Sequence, residues 1–429
     1  MKRNALLLIL LAALVGTAVV VNQSKQKRLG SAYAGVKMRE LLLPELTSTD
    51  SINGIRKLRI REGDAQVNLA LTDGQWRVAE RSNYPAAFDK ISRTLMNLRE
   101  LKIAGTPRIG KSAYGSEKLL APGEGAAGST GLSVEMMNDK GDLISNLIAG
   151  ESTKSSGGAS SSSFSGAGEQ RLVRVPKDAD TVWLINDSLS EVQTAPQEWL
   201  DKAFIDVRKL QSVEITSPTP AYSWSASRKD ENSEFKFPES ANGDELDTAK
   251  AGNLATLLSN PTFTDVVPKD KATPEFMKNA IGAKLHTFEG FQYEVKLLEV
   301  KEGGKDAEPK DYLSFIVTAE FPKERTPEKD EKEEDKKAKD EAFSANKKTL
   351  EEKLEREKKF DGWIYEVSNY VVTTLTKRRS ELLREKPKAP PTPQIKIPQP
   401  AEGTDPAPST PPASATTAPV EAPGLPESK

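Results

Sequence analysis

The fold is decided by residues 55–101, which read IRKLRIREGDAQVNLALTDGQWRVAERSNYPAAFDKISRTLMNLREL. In the first half, three short runs that alternate apolar with polar residues are separated by turn-forming residues. The first run is Ile55 to Ile60 and is followed by the turn residues Glu62-Gly63-Asp64. The second run, Val67 to Leu71, is followed by the turn residues Asp73-Gly74, and the third run is Trp76-Arg77-Val78. A period of two is typical of strands that bury one face, and Asp-Gly is typical of a tight hairpin turn. This half therefore predicts a three-stranded antiparallel meander.

The second half of the stretch has the spacing of an amphipathic helix. Apolar residues recur every three or four positions, at Phe88, Ile91, Leu95, Leu98 and Leu101. Such spacing places them along one side of a helix. We therefore expect a helix from Phe88 to Leu101 that covers one face of the sheet with a single buried stripe.

The elements that follow predict that the same plan occurs twice. The first copy continues with strands at Leu132 to Met137, Leu143 to Ile148, Arg171 to Val175 and Val182 to Ile185. The second copy has strands at Val213 to Ile215, Tyr222 to Ala226 and Phe235 to Phe237, a helix at Leu246 to Leu258 that ends before Pro261, and then strands at Phe288 to Val300, Tyr312 to Phe321, Trp363 to Val367 and Tyr370 to Val372. This order predicts a duplicated β-rich module of the α+β class. One continuous larger sheet domain is the alternative that the sequence leaves open.

Composition sets the predicted domain boundaries. We expect an N-terminal anchor and its flank at 1–35, a first α+β domain at 36–210, a second at 211–385 and a disordered Pro-rich tail at 386–429. A Ser/Gly-rich stretch at 152–168 predicts a flexible loop in the first domain. In the second domain, an insertion at 323–359 mixes opposite charges four residues apart, as in Glu352 with Arg356 and Glu355 with Lys359, which predicts a solvated helix. Its thin apolar stripe leaves a partner-binding edge open.

The N-terminus predicts a membrane anchor. Ala5 to Val21 is an uncharged apolar run behind Lys2 and Arg3, at the lower limit of the length that spans a bilayer. A cleavable signal peptide is the alternative, since Ala32-Tyr33-Ala34 resembles a cleavage site, but that site lies far behind the apolar run. We therefore expect a single-pass protein of the cytoplasmic (inner) membrane with its body on the extracytoplasmic side. A cytoplasmic body on an inverted anchor stays open, because positive charge flanks both ends of the run.

The composition excludes several classes of function. With 61 Lys and Arg against 63 Asp and Glu, the 429-residue chain has a formal net charge of −2, which argues against nucleic-acid binding. The sequence has no cysteine, which removes disulfides, thiolate nucleophiles and thiolate metal sites. It has a single histidine, His286, which removes most imidazole chemistry.

One motif resembles a phosphate-binding loop. Gly105-Thr106-Pro107-Arg108-Ile109-Gly110-Lys111-Ser112 fits the pattern G-x-x-x-x-G-K-[ST]. In a true phosphate loop the motif follows a buried strand and opens a long helix. Here it follows a predicted helix and enters a segment that is broken by Gly115 and Pro122. We therefore interpret Gly105 to Ser112 as a surface connector, with nucleotide binding as the alternative.

The remaining candidates for chemistry are weaker. His286 begins a predicted strand, and the sequence contains no G-x-S-x-G motif that would accompany it in a hydrolase. Two carboxylates would suffice for a glycosidase, but no pair differs from the general background of charge. Five tryptophans, Trp76, Trp183, Trp199, Trp224 and Trp363, lie mostly in strand-like runs and are expected in the core. We therefore predict no catalytic, cofactor-binding or metal-binding residue and no cofactor.

Several short elements resemble the bacterial membrane-anchored proteins known as the domain of unknown function 4340 family. They are the basic and apolar N-terminus, Asp73-Gly74-Gln75-Trp76-Arg77-Val78, Tyr84-Pro85, Leu95 with Leu98, Tyr114-Gly115, Ala149-Gly150 and Arg171-Leu172-Val173-Arg174-Val175. The resemblance covers most of 52–210, and the sequence departs from the pattern at Ser116 and in the Ser/Gly loop. It implies an extracytoplasmic body without known activity, associated in some members with transport systems of the ATP-binding-cassette (ABC) type and their gliding-motility relatives.

Two hypotheses of function follow. The first is a non-enzymatic auxiliary or scaffold component of a bacterial envelope complex or ABC-transporter-associated complex, with protein partners in the envelope and with the membrane bound through the N-terminal helix. The second is a hydrolase that uses Gly105 to Ser112 for nucleotide binding, or a carboxylate glycosidase. We favour the first, because the sequence contains no assembled catalytic motif.

Overall fold

The computed structural model of the chain describes residues 39–153, 169–178, 181–238, 244–251, 254–273, 275–301, 308–327 and 331–384. The predicted anchor at Ala5–Val21, positions 154–168 of the predicted Ser/Gly loop and the predicted tail lie outside these residues. None of the helices in the described ranges combines the length and the apolar character needed to cross a membrane.

The first part of the described chain forms an antiparallel sheet, which we call the first sheet. Its nine strands lie in the order β4-β3-β2-β1-β6-β7-β8-β9-β5 among the described residues. The strands are β1 (Lys57–Glu62), β2 (Ala65–Thr72), β3 (Gln75–Val78), β4 (Tyr84–Pro85), β5 (Ile103–Gly105), β6 (Leu132–Met137), β7 (Leu143–Thr153), β8 (Gln170–Arg174) and β9 (Val182–Ile185). The predicted meander is confirmed, with Asp73 and Gly74 at positive φ in the turn that joins β2 to β3.

The second part forms another antiparallel sheet, the second sheet. Within the described ranges its seven strands lie in the order β11-β10-β13-β14-β15-β16-β12. They are β10 (Leu210–Thr216), β11 (Trp224–Ser227), β12 (Phe263–Val266), β13 (Ile281–Thr287), β14 (Phe291–Val300), β15 (Lys310–Ala319) and β16 (Tyr365–Val367). An isolated bridge between Ser227 and Lys236 extends this sheet beyond β11, as β3 extends the first sheet beyond β2.

Four α-helices accompany the sheets in the described part of the chain. They are α1 (Thr49–Gly54), α2 (Phe88–Glu100), α3 (Glu333–Glu357) and α4 (Asn369–Val372). Helix α2 buries Ile91, Leu95 and Leu98 in the main core, as its apolar spacing predicts. Two antiparallel sheets with few helices form a β-rich structure that fits the expected α+β class.

The two sheets share one main core. It contains the inward residues of both, such as Ile60 and Val134 of the first sheet and Leu285 and Val295 of the second. We call the face of each sheet that contributes to this core its inner face. Since strand residues alternate between faces, the outer faces carry the intervening side chains.

The outer face of the first sheet is covered by the connection between β5 and β6, residues 106–131, which we call the flap. Tyr114 and Leu119 of the flap are buried in a small separate core with Val182. The backbone of the flap lies so close to β7 that a Cβ on Gly131 would stand 2.5 Å from the Ala149 carbonyl oxygen. The flap is therefore packed on the sheet.

Several secondary-structure predictions were wrong. The described parts of Leu246–Leu258 form turns and a 3-10 turn at Leu254–Thr256, because Leu246 is extended in an antiparallel bridge with Leu383 and Leu258 has a positive φ, and neither conformation continues a helix. Tyr370–Val372, predicted as a strand, forms helix α4, where Asn369 leaves the sheet and donates to Asp311 at 3.1 Å.

Smaller differences concern individual residues. Phe88 is 64% exposed, because it is the first residue of α2 and precedes the turns that pack on the sheet. Ser152 and Thr153, predicted as loop, continue β7 and pair with β8. In α3, Glu355 pairs with Lys358 at 3.7 Å and not with Lys359. Strands β5, β12 and β13 were missed, because the first two are short edge strands and the third contains Gly282 and Lys284.

Candidate functional site

A cleft lies where the two sheets meet. It has a volume of about 500 Å³ and three walls. One wall is the edge of the first sheet at Tyr84 and Pro85, the second is the connection 201–209, which we call the linker, and the third is the C-terminal half of α3. Clefts of this size between packed units are common places for ligand binding.

An aromatic cluster closes the inner end of this cleft. Tyr84 is 2% exposed, and its ring meets those of Trp363 at 5.0 Å, Phe263 at 6.0 Å and Tyr365 at 6.1 Å, all edge to face. Phe204 of the linker lies 4.7 Å from the Tyr365 ring. Such edge-to-face pairs stabilise beyond the apolar area they bury. Burial raises the pKa of Tyr84 to about 12, so its hydroxyl stays protonated at neutral pH.

A two-point ion pair joins the sheets beside this cluster. The Arg81 guanidinium donates through Nε to Asp265 Oδ1 and through Nη2 to Asp265 Oδ2, both at 2.6 Å. The hydrogen bond to Asp265 raises the pKa of Arg81 further above its ordinary value. Ser82 Oγ accepts from the backbone N–H of Lys269 at 2.8 Å. This fork geometry fixes the orientation of the two edges as well as their distance.

A buried carboxylate joins α3 to the linker. Glu357 is 3% exposed; Oε2 accepts from the Tyr293 hydroxyl at 2.7 Å, and Oε1 accepts from the backbone N–H of Asp206 at 3.0 Å. Burial raises the pKa of Glu357, against the lowering effect of Lys353. Lys353 itself donates to the Asp206 carbonyl at 2.7 Å and stands 4.6 Å from the centroid of the Phe291 ring. The last turns of α3 are thus packed on the linker and the second sheet.

The other acids of the cleft also have partners. Asp206 Oδ2 accepts from Arg208 Nε at 2.5 Å, and Glu289 lies 3.4 Å from Lys209. Asp201 Oδ1 accepts from the backbone N–H of Ala203 at 3.0 Å. Through these contacts the carboxylates hold the linker in place. They do not arrange two free carboxylates across the cleft in the way a glycosidase requires.

The basic side chains at the rim differ from these acids. Arg356 and Lys359 line the cleft and are exposed. Over the part of the chain that the structure describes, neither forms an ion pair or a side-chain hydrogen bond. Among the described residues, Arg356 and Lys359 are therefore rim cations that no ion pair neutralises.

The residues that the sequence singled out lie elsewhere. Gly105 ends β5, and Lys111–Ala113 is a single 3-10 turn of the flap, so the segment after the motif is not a long helix. His286 lies in β13, paired with Gln292 and Ser212, and is half-buried. Trp76, Trp199 and Trp224 are in the main core. Across the described ranges, no group of three or more His, Asp or Glu residues could hold a metal ion.

Sequence reasoning missed the residues that build the cleft. One signal was present, because Lys353 and Glu357 stand four residues apart on α3, which is the spacing of an intrahelical ion pair. Nothing in the sequence placed that pair against Asp206, which lies in a different segment. Tyr84 was noted only as part of the Tyr84-Pro85 element.

The fold and the cleft define a β-rich α+β protein with a ligand-sized cleft between two antiparallel sheets. The model of a family described as domain of unknown function (DUF4340) matches residues 76–279, from β3 to the connection before β13. The predicted resemblance to this family is confirmed over those residues. No curated protein and no solved structure matches the chain.

Proposed function

We propose that the protein is a membrane-anchored, non-enzymatic component of a bacterial envelope complex, in which two copies of one β-rich module form an extracytoplasmic scaffold. Transporter components of the ABC type are the partners that the family resemblance suggests. The proposal joins the anchor expected at Ala5 to Val21 to the architecture of the described residues.

The observation that carries this proposal is the strand order. The series β2-β1-β6-β7-β8-β9-β5 of the first sheet corresponds position by position to β11-β10-β13-β14-β15-β16-β12 of the second. Such agreement over seven strands supports an internal duplication. The fork between Arg81 and Asp265 holds the two copies in one arrangement, which suits a scaffold that presents surfaces at a fixed spacing.

The start of the described chain supports an attachment near the first sheet. The backbone N–H of Arg39 donates to Ile103 at 3.0 Å, and that of Leu42 donates to Leu101 at 2.8 Å. Leu43 and Leu46 are fully buried. An anchor that precedes Arg39 would therefore join a segment that is already fixed to the edge of the sheet.

Membrane topology and copurification test this proposal together. A periplasmic-type reporter fused after Lys429 is expected to be active, and carbonate washing is expected to leave the chain in the membrane. Crosslinking in whole cells, followed by purification of the full chain, is expected to recover a defined membrane partner. A cytoplasmic reporter signal, a soluble mature chain, or recovery of the chain alone together with a measurable turnover would contradict it.

A further inference from the structure

We propose that the cleft between the two sheets binds a single long-chain carboxylate, with its hydrocarbon chain against the aromatic floor and its head group at the rim formed by Arg356 and Lys359. This inference goes beyond the scaffold role and does not depend on the anchor. It rests on the floor, the rim and the volume of the cleft.

The floor of the cleft is apolar and incompletely covered. Tyr84, Pro85, Ala203, Phe204, Leu350 and Phe360 line it. Phe204, Leu350 and Phe360 pack against the main core but stay partly exposed, with the rings of Phe204 and Phe360 5.9 Å apart. Apolar surface of this kind gains from being covered by a hydrocarbon chain.

The rim selects the charge of the head group. Asp206, Glu289 and Glu357 have cations beside them, namely Arg208, Lys209 and Lys353. Over all the lining residues four acids balance four bases, and Arg356 and Lys359 are the lining cations that form no ion pair among the described residues. A carboxylate brings only one negative charge to this balanced cleft, whereas a phosphate monoester would bring between one and two. A guanidinium can also bind both oxygens of a carboxylate at once.

The volume fits a molecule of this class. The cleft measures about 500 Å³, inside the range of about 300 to 1,000 Å³ that is usual for sites of small molecules. Its walls come from both sheets and from α3, so a bound chain would contact all three. The site is therefore expected to bind one amphiphile and not to act as an open surface for a folded protein partner.

Photolabelling of the full chain tests the proposal. The purified full chain would be irradiated with a twelve-carbon carboxylate that carries a diazirine on its chain. Labels are expected in peptides that contain 201–208 and 346–360. Excess dodecanoate is expected to remove the labelling, whereas dodecanol is not, because the alcohol lacks the charge that the rim binds.

Charge reversal locates the head group. The double variant Arg356→Glu and Lys359→Glu is expected to lower labelling of these peptides by about tenfold or more, because two attractive contacts become repulsive. The matched control reverses Lys337 and Lys348, which are exposed on the same helix and do not line the cleft. Thermal unfolding of each variant checks that it is folded. Labels in other peptides, equal competition by dodecanol, or equal loss in the control variant would overturn the proposal.

Discussion

Seven strands of the first sheet lie in the same order as the seven described strands of the second, yet the two sheets are covered differently. In the first sheet, α2 packs on the inner face and the long flap, 106–131, covers the outer face with Tyr114 and Leu119. In the second sheet, the corresponding connection between β12 and β13 spans only 267–280. It contributes Phe276, whose ring lies 5.1 Å from that of Tyr312. Ile316, farther along the same outer face, is 52% exposed.

The inner faces differ as well. Where the first sheet has the regular helix α2, the second has the turns near Leu254 and, farther along the chain, helix α4. The second sheet is also contacted by the end of α3 and by the linker through Glu357 and Lys353. The comparison shows that sheets with the same strand order can be packed against different helices and turns, provided that each inner face is buried. The cleft lies where α3 and the linker, which pack on the second sheet, meet the edge of the first sheet.

The largest expected effect comes from removing the ring that joins the sheets. Tyr84→Ala deletes the side chain that contacts Phe263, Trp363 and Tyr365, and buried aromatic truncations cost about 3–5 kcal/mol. We expect the free energy of unfolding of the full chain, measured in urea, to fall by about that amount. If the sheets were independently stable, the variant would leave the unfolding of one of them unchanged.

Tyr84→Phe is the matched control for this prediction. It keeps the ring contacts and removes only the hydroxyl, so a loss of about 1 kcal/mol or less is expected. A loss equal to that of Tyr84→Ala would show that the hydroxyl, and not the ring, joins the sheets.

A smaller effect is expected where the flap meets the first sheet. In Gly131→Ala, the new methyl group would stand 2.1 Å from the Lys118 carbonyl oxygen and 2.5 Å from that of Ala149, so backbone must move. Overpacking of this kind costs about 1–3 kcal/mol, which unfolding in urea would measure. Gly128→Ala, in the same flap with open space around it, is expected to change stability by less than about 0.5 kcal/mol.

Gly282→Ala extends this test to the second sheet. Gly282 lies near the start of β13, which corresponds to β6, and its Cβ would have an ordinary contact of 3.7 Å with the Thr216 carbonyl oxygen. We expect a change of less than about 1 kcal/mol. Similar losses for Gly131→Ala and Gly282→Ala would contradict the difference between the two outer faces.

Periodicity predicted the regular parts of both sheets. The alternation in 55–78 and the spacing in α2 reflect burial of one face, which is a local property of the sequence. Strands β5 and β12 have too few residues for a period to be visible. Tyr370 to Val372 have strong β propensity, but the contact of Asn369 with Asp311 places them in a helix.

The cleft could not be predicted for a related reason. Its members come from β4, the linker and α3, and each looks ordinary in its own segment. Glu357 stands in a run of mixed charge, where an exposed position is the usual expectation. Only the packing of α3 against Asp206 and Tyr293 makes it a buried group. The family resemblance was confirmed because it rests on short ordered elements such as Gln75-Trp76-Arg77-Val78, which are local.

A pH-dependent effect is expected where α3 covers the second sheet. Burial raises the pKa of Glu357 above its ordinary 4.5, so the folded state holds the proton more tightly than the unfolded state. The resulting stabilisation is fully present below pH 4.5 and is lost as the pH rises through the raised pKa. Glu357→Gln does not titrate; its single carbonyl oxygen can accept from the Asp206 N–H, and its amide N–H can donate to the Tyr293 hydroxyl oxygen. We therefore expect the wild type to lose stability relative to this variant as the pH rises above 4.5.

Urea unfolding at a series of pH values would measure this difference. Glu352→Gln, an exposed change on the same helix, is the control and is expected to follow the wild-type profile. The raised pKa values of Asp311 and Asp361 affect all three proteins equally. If the free energies of unfolding of the wild type and Glu357→Gln changed with pH in parallel, the protonation of Glu357 would not contribute to stability where α3 packs on the second sheet.

The smallest effect is expected for a substitution of Lys111 at the beginning of the flap. This prediction also tests why the connection between β5 and β6 is longer than the connection between β12 and β13. If Gly105 to Ser112 is only a connector, Lys111 is an exposed side chain whose removal changes stability by less than about 0.5 kcal/mol. If the segment held nucleotide, the flap would be longer because it carries a site, and Lys111 would face phosphate charges. Calorimetric titration of the full chain with ATP and magnesium separates the two explanations. We expect no binding heat for the wild type, for Lys111→Ala or for Lys140→Ala, an exposed lysine in the turn between β6 and β7. Micromolar binding that is lost in Lys111→Ala and kept in Lys140→Ala would assign the longer flap to nucleotide binding and the protein to the hydrolases.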